Sequence, residues 1–233
     1  MKKITLVALF LFSLVTHSQN NMYSFDYVVD YEIPNREKQT TDTVKVAFHK
    51  EGKYLWSNSD FIAKSLGQGF LSNNPKVENS LTSNIVFELE TGDLIVGLEN
   101  DDTAMMMKLN AGQFLKQDNL AKMDDIALKV ISTGQTNVVM GSEYPIYEIY
   151  PSNNPGSSML MTIDDSKDIN STAIFQYIVE MVAGKKLNKP LTKDLPKGLI
   201  IKVEQNGNQL LSAIRINEEK KTIHYDYYLG EKL

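Results

Sequence analysis

Between Tyr23 and Ile33 the chain alternates. Tyr23, Phe25, Tyr27, Val29, Tyr31 and Ile33 share one parity, and Ser24, Asp26, Asp30 and Glu32 share the other, with Val28 the exception. A period of two predicts a strand with one buried face and one wet face, as in an antiparallel sheet. Pro34 ends the run. The same pattern recurs along the chain. Val44, Val46 and Phe48 alternate before a turn at Glu51-Gly52-Lys53, and Tyr54 to Ser57 returns. Ile85 to Leu89 and Leu94 to Leu98 flank Thr91-Gly92-Asp93 and predict a hairpin. Thr103 to Leu109 predicts a strand carrying Met105, Met106 and Met107. Asn137 to Met140 and Tyr144 to Tyr150, joined at Gly141-Ser142, predict another hairpin, and Met159 to Ile163 a short strand. Leu199 to Gln205 and Gln209 to Asn217 flank Asn206-Gly207-Asn208, and Asn-Gly suits hairpin turns that need positive φ. Thr222 to Leu229 predicts a last strand.

Helical signals are fewer. Ser59 could cap a short helix over Asp60 to Leu66, and Gln113 to Val130 holds a weaker pattern. The clearest helix runs from Ser171 to Ala183, with Asn170 or Ser171 as cap and Gly184 as stop. Its polar residues Thr172, Gln176 and Glu180 form one narrow stripe, and apolar residues cover the rest of the circumference. Such a helix is buried on several sides. The expected fold is therefore mostly β (α+β). A strongly curved antiparallel sheet of about 10–12 strands, a half-barrel, would wrap around one buried helix and a few short ones.

The start of the chain adds a compartment. Lys2 and Lys3 precede an apolar run from Ile4 to Val15, and small residues follow at Thr16 and Ser18. This order reads as a signal peptide over residues 1–18, with residues 19–233 forming a single domain. The apolar run is too short for a permanent membrane span. The chain contains no cysteine, so neither a disulfide framework nor a thiol-linked lipid anchor is expected. The expected protein is exported, periplasmic or secreted, soluble and not membrane-spanning. The net charge is −5, and the leader holds two lysines and no acid, so the remainder is more acidic still. Nucleic acid is not an expected partner.

Chemistry is sparse. There is no Gly-x-Ser-x-Gly elbow, His-Glu-x-x-His, phosphate loop or dinucleotide fingerprint. Beyond the leader only His49 and His224 remain. Asp101-Asp102, Asp124-Asp125 and Asp164-Asp165 are acid pairs, read mainly as solvated turn residues. Asp164, Ser166, Asp168 and Asn170 mimic the first ligands of a calcium loop, but Ile169 and Phe175 occupy the places that need Gly and a bidentate acid. No catalytic residue, metal or cofactor is expected. Met105 and Met107 share a parity, and methionines adapt to ligands of variable shape. They could line an acyl-chain pocket or fill an irregular core.

An exported precursor with the first strand Tyr23 to Ile33 has a central hairpin continuing through Tyr144-Pro-Ile-Tyr-Glu-Ile149. A short strand, Met159 to Ile163, then leads into a helix, and a hairpin with a Gly-bearing turn follows near the end. In this order the chain resembles exported domains of unknown function in Gram-negative bacteria related to the periplasmic lipoprotein-carrier fold. The resemblance implies an apolar cavity between curved sheet and helices, and transfers no functional residue. Fold likeness alone does not establish function. The expected function is non-enzymatic binding of a hydrophobic or lipid-like ligand, or of a lipidated partner. Candidate cavity residues are Phe25, Tyr27, Trp56, Met105, Met107, Phe175 and Val179. The alternatives are an envelope structural or interaction module with a filled core, and a hydrolase using a carboxylate site at Asp164, Asp165 or Asp168.

Overall fold

The alternation at the start of the chain serves two sheets rather than one. A computed structural model describes residues 21–35, 39–58, 82–99, 103–110, 127–171, 173–174, 195–225 and 229–231. In it β1 (Asn21–Phe25) and β2 (Tyr27–Asn35) are separated by Asp26 alone. The Asp26 N–H donates to Phe48 O at 2.9 Å, and Asp26 Oδ2 accepts from the Lys50 N–H at 2.9 Å. These two bonds hold a bend, so the single strand predicted over Tyr23 to Ile33 divides in the middle. The last predicted strand divides as well. β13 (Lys221–Tyr225) and β14 (Leu229–Glu231) belong to different sheets.

The other strands are β3 (Thr40–Phe48), β4 (Tyr54–Ser57), β5 (Thr82–Glu88), β6 (Asp93–Glu99), β7 (Thr103–Asn110), β8 (Leu128–Val139), β9 (Ser142–Pro151), β10 (Met159–Asp164), β11 (Leu199–Gln205) and β12 (Asn208–Asn217). Twelve strands form one open antiparallel sheet in the order β14-β7-β6-β5-β4-β3-β2-β12-β11-β10-β9-β8, which agrees with the mostly β antiparallel expectation. β1 and β13 make a separate two-stranded ribbon with Phe25 opposite Lys221 and Tyr23 opposite Ile223. Val28 pairs with Asn217 at the end of the β2–β12 ladder, so the ribbon continues that ladder past the bend.

The sheet curls at its β8 edge. In a flat sheet β8 and β11 would lie three strand spacings apart, roughly 14 Å. Yet Asn137 Nδ2 on β8 donates to Thr162 Oγ1 on β10 at 3.1 Å and to Glu204 Oε2 on β11 at 3.4 Å. A register shift between Ser132 and Thr136, with Gly134 at φ 69°, provides the bulge that permits this.

Strand register sorts the apolar residues into two cores. Phe48, Leu55, Phe87 and Leu94 form one cross-strand row, and Ala47, Trp56, Val86 and Ile95 form the row on the other face. On the inner face Val29, Tyr31, Phe48, Leu55, Leu199 and Ile201 pack with Ile169 and Ile174. On the outer face Tyr23 and Phe25 of the ribbon cover Ala47, Trp56, Val86 and Ile95.

The segment before the predicted long helix is stitched to the inner core. Asn170 N donates to Lys50 O at 2.8 Å, and Asn170 Oδ1 accepts from the Ala173 N–H at 3.1 Å as a helix cap does. Ile174 N donates to Asn170 O at 3.2 Å, which closes a first turn. Ser171 Oγ donates to Gly198 O, and Gly198 N donates to Ile169 O at 2.9 Å. Gly198 has φ 146°, and a Cβ there would stand 2.5 Å from Ile163 Cγ2 and 2.6 Å from Asp164 O, so only glycine fits. The body of the helix expected over Ser171 to Ala183, beyond this first turn, lies outside the described residues. So does the helix expected over Asp60 to Leu66. The helix expected over Gln113 to Val130 is corrected where it is described: Leu128, Lys129 and Val130 are β-strand, because they pair with Pro151, Tyr150 and Ile149 of β9. The central hairpin turns at Met140-Gly141, one residue earlier than Gly141-Ser142, since Val139 pairs with Ser142. Among the described residues no helix is long and apolar enough to cross a membrane.

Candidate ligand cavity

The inner-face rows do not close on themselves. Tyr31 and Ile33 of β2, Val46 and Phe48 of β3, Leu55 and Ser57 of β4, and Phe87 and Leu89 at the end of β5 form one wall of a cavity of about 280 Å³. Ile200 of β11 and Leu211 of β12, the next two strands of the sheet beyond β2, extend the lining, and Ile174 of the helical turn joins it. The sheet positions these side chains through period-two alternation, and the Asn170–Lys50 and Ser171–Gly198 bonds bring Ile174 over them.

The wall is apolar in its chemistry as well as its composition. The Tyr31 hydroxyl donates to Ile200 O at 2.6 Å and is thereby used. Burial holds the Tyr31 hydroxyl far above its ordinary pKa, so it stays neutral. Ser57 is 6% exposed and is itself engaged. Among the described residues no carboxylate, ammonium or imidazole lines the cavity. The volume lies near the lower end of small-ligand sites, roughly 300–1,000 Å³.

The expected site residues divide. Trp56 borders the cavity, but its register neighbours are Ala47 and Val86, and its side chain packs in the outer core. Its Nε1 is buried and has no hydrogen-bond partner among the described residues, and Lys221 Nζ lies 4.2 Å from its ring centroid. Phe25 is fully buried in the ribbon on the outer face, because the Asp26 bend moves it to the other core. Tyr27 is half-buried against the inner core without reaching the cavity wall, and Lys167 Nζ stands 6.0 Å from its ring centroid. Met105 and Met107, on β7, pair with Leu98 and Val96 of β6, and β7 lies two strands from β5 and three from β4 in the sheet. Phe175 and Val179 lie outside the described residues. The residues missed by sequence reasoning are Tyr31, Ile33, Phe48, Leu55, Phe87 and Leu211. Tyr31, Ile33, Phe48 and Phe87 sit on the apolar parity of their strands, whereas Leu55 shares its parity with Ser57 and Leu211 shares its parity with Gln209 and Arg215, so alternation alone does not mark those two.

Among the described residues the acids offer no converging site. Asp164 is buried, but its Oδ1 accepts from Ser166 N at 3.1 Å and Ser166 Oγ at 2.5 Å, which serves its own turn. Asp168 is open to solvent and meets Lys197 at 3.3 Å. Asp101-Asp102 and Asp124-Asp125 lie outside the described residues. Among the described residues no group of three His, Asp or Glu could hold a metal ion. His49 sits against the Tyr54 ring, centroids 4.6 Å apart, and accepts from the Glu51 N–H at Nδ1. Desolvation lowers its pKa, with Asp26 and Glu51 acting in the opposite sense. His224 is exposed on β13. The chain matches no family model and no curated protein.

Proposed function

We propose that this protein is an exported, non-enzymatic carrier that holds a single apolar chain between the inner face of its sheet and the helix that begins at Asn170. The observation that carries the reading is the cavity itself: about 280 Å³ walled by apolar side chains whose one neighbouring phenol is already bonded. Each methylene moved from water into such a space contributes about 0.8 kcal/mol, so affinity needs no polar contact. The size suits one chain better than a lipid with several. In this reading residues 19–233 form one domain of the lipoprotein-carrier type, a half-barrel curved around the helix over Ser171 to Ala183. The ligand is then a fatty acid or the acyl part of a lipidated partner. N-terminal sequencing of the protein recovered outside the cytoplasm tests export, with a start near Gln19 expected and an intact Met1 contradicting it.

The binding test uses the chain's one tryptophan. Trp56 borders the cavity, so a fatty acid brominated along its chain should quench its fluorescence saturably, at one equivalent per protein. Val46→Phe and Ile200→Phe fill the space and should weaken quenching by about tenfold or more. Quenching that is absent, or unchanged in folded variants of both kinds, favours an envelope module with no small ligand.

A further inference from the structure

Two hairpins of this protein end in the same backbone turn with different residues. Met140 and Gly141 have φ values of 51° and 80°, and Asn206 and Gly207 have 52° and 73°. The left-handed region favours Asn and disfavours Met. The β11–β12 turn follows the preference and the β8–β9 turn does not. Met140 does not recover this cost in the core, since it is 42% exposed, and Val138 beside it is 68% exposed. Between them Val139 is buried in the inner core, and Asn137 is tied to Thr162 and Glu204. The hairpin is thus anchored while two apolar side chains face solvent. Nothing stands within 4 Å of where a Cβ on Gly141 would be, so the turn faces open space. From Val130 to Ser142 no residue carries a charge, and the first one beyond is the exposed acid Glu143.

We infer that the β8–β9 tip is a lipid-contact element, in which Val138 and Met140 enter the surface of a zwitterionic bilayer. An uncharged run can approach headgroups without desolvating an ion. Glu143 disfavours anionic lipids, as does the acidity of the whole chain. A disfavoured Met at an exposed turn is accounted for if its side chain leaves water when the protein works. The contact is small and therefore reversible, as loading and release require. The inference rests on the carrier reading, because a bilayer is the source of an acyl chain.

The test is flotation of the purified protein with phosphatidylcholine vesicles, compared with vesicles enriched in phosphatidylglycerol. The wild type should float with the first and less with the second. Met140→Asn should reduce flotation about tenfold while raising the unfolding midpoint, because Asn suits the turn. Trp56 quenching by dissolved brominated fatty acid, without vesicles, should be unchanged in Met140→Asn. Equal flotation of wild type and Met140→Asn overturns the inference. So does a wild-type dimer in sedimentation that Met140→Asn dissociates without changing flotation, since the tip then meets a second copy. Flotation that depends on Met140, with no quenching in either protein, supports the tip and overturns the cavity.

Discussion

Both faces of β3, β4 and β5 carry buried apolar rows under different covers, and the cavity described above lies on the inner one. On the outer face the β1–β13 ribbon lies directly on the sheet. Tyr54 meets the rings of Tyr23 and Phe25 edge-on at 5.1 and 5.2 Å, and its hydroxyl donates to Ser24 O at 3.0 Å. Tyr23 in turn donates to Glu88 Oε1 at 2.6 Å, and Lys108 bridges Glu88 and Asp93. On the inner face Phe48, Leu55 and Phe87 point at the helical turn, and a cavity of about 280 Å³ remains between them and Ile200 and Leu211. Close packing holds where the covering element is a paired ribbon bonded to the sheet. Room is left where, among the described residues, the cover is the helical turn that ends at Ile174. Alternation identifies both faces as buried without saying which of them is full.

Substitutions can separate the two cores. Phe25→Ala on the filled side should have the largest effect, a loss of about 3–5 kcal/mol in urea unfolding, because Phe25 is fully buried and the ribbon cannot collapse into the gap. A loss similar to that of an exposed residue would mean that the ribbon does not seal the outer face. Gly198→Ala should cost about 3 kcal/mol, since its Cβ meets Ile163 and Asp164 and its φ is one that alanine avoids. This change also moves the carbonyl that receives Ser171, so binding of an apolar probe should fall with stability. Leu55→Ala should cost about 2–3 kcal/mol, the low end for a buried leucine, because its side chain already borders empty space. Probe binding should survive or strengthen in the enlarged cavity, whereas Phe25→Ala should leave probe affinity unchanged in the folded fraction. Tyr31→Phe should cost about 1 kcal/mol by leaving Ile200 O without its donor, with probe binding retained.

The smallest effect is a pH dependence on the outer side. The folded pKa of His49 lies below its unfolded value, so folding favours the neutral ring. The unfolded chain takes up the proton first, near pH 6.5, and stability from this group is therefore lost as pH falls from about 6.5 toward the folded value. His49→Gln should flatten the unfolding midpoint across that window. An unchanged slope would assign it to other groups.

Much of the sheet is legible in the sequence, because its pairs are mostly hairpins between neighbouring runs. Tyr54 to Ser57 is a strand with the bounds the pattern predicts, and Asn206-Gly207 turns where its chemistry requires. The division at Asp26 is not legible. Local alternation runs through it unbroken, and the bend is held by bonds to Phe48 and Lys50, residues distant in the chain. That one bend decides the site: it sends Tyr23 and Phe25 to the outer core and leaves Tyr31 and Ile33 at the cavity. Trp56 shows the complementary difficulty. Its burial could be anticipated, but which face it fills depends on pairing with Ala47 and Val86. The cavity residues were legible as apolar positions, whereas the space between them follows from how Ile169 to Ile174 are tied to Lys50 and Gly198.

Mass spectrometry of an organic extract from the purified protein tests the central claim most directly. The account predicts one acyl-chain molecule per protein, depleted in Ile200→Phe. An extract with no stoichiometric lipid, from protein that also fails to take up a brominated fatty acid, would contradict it.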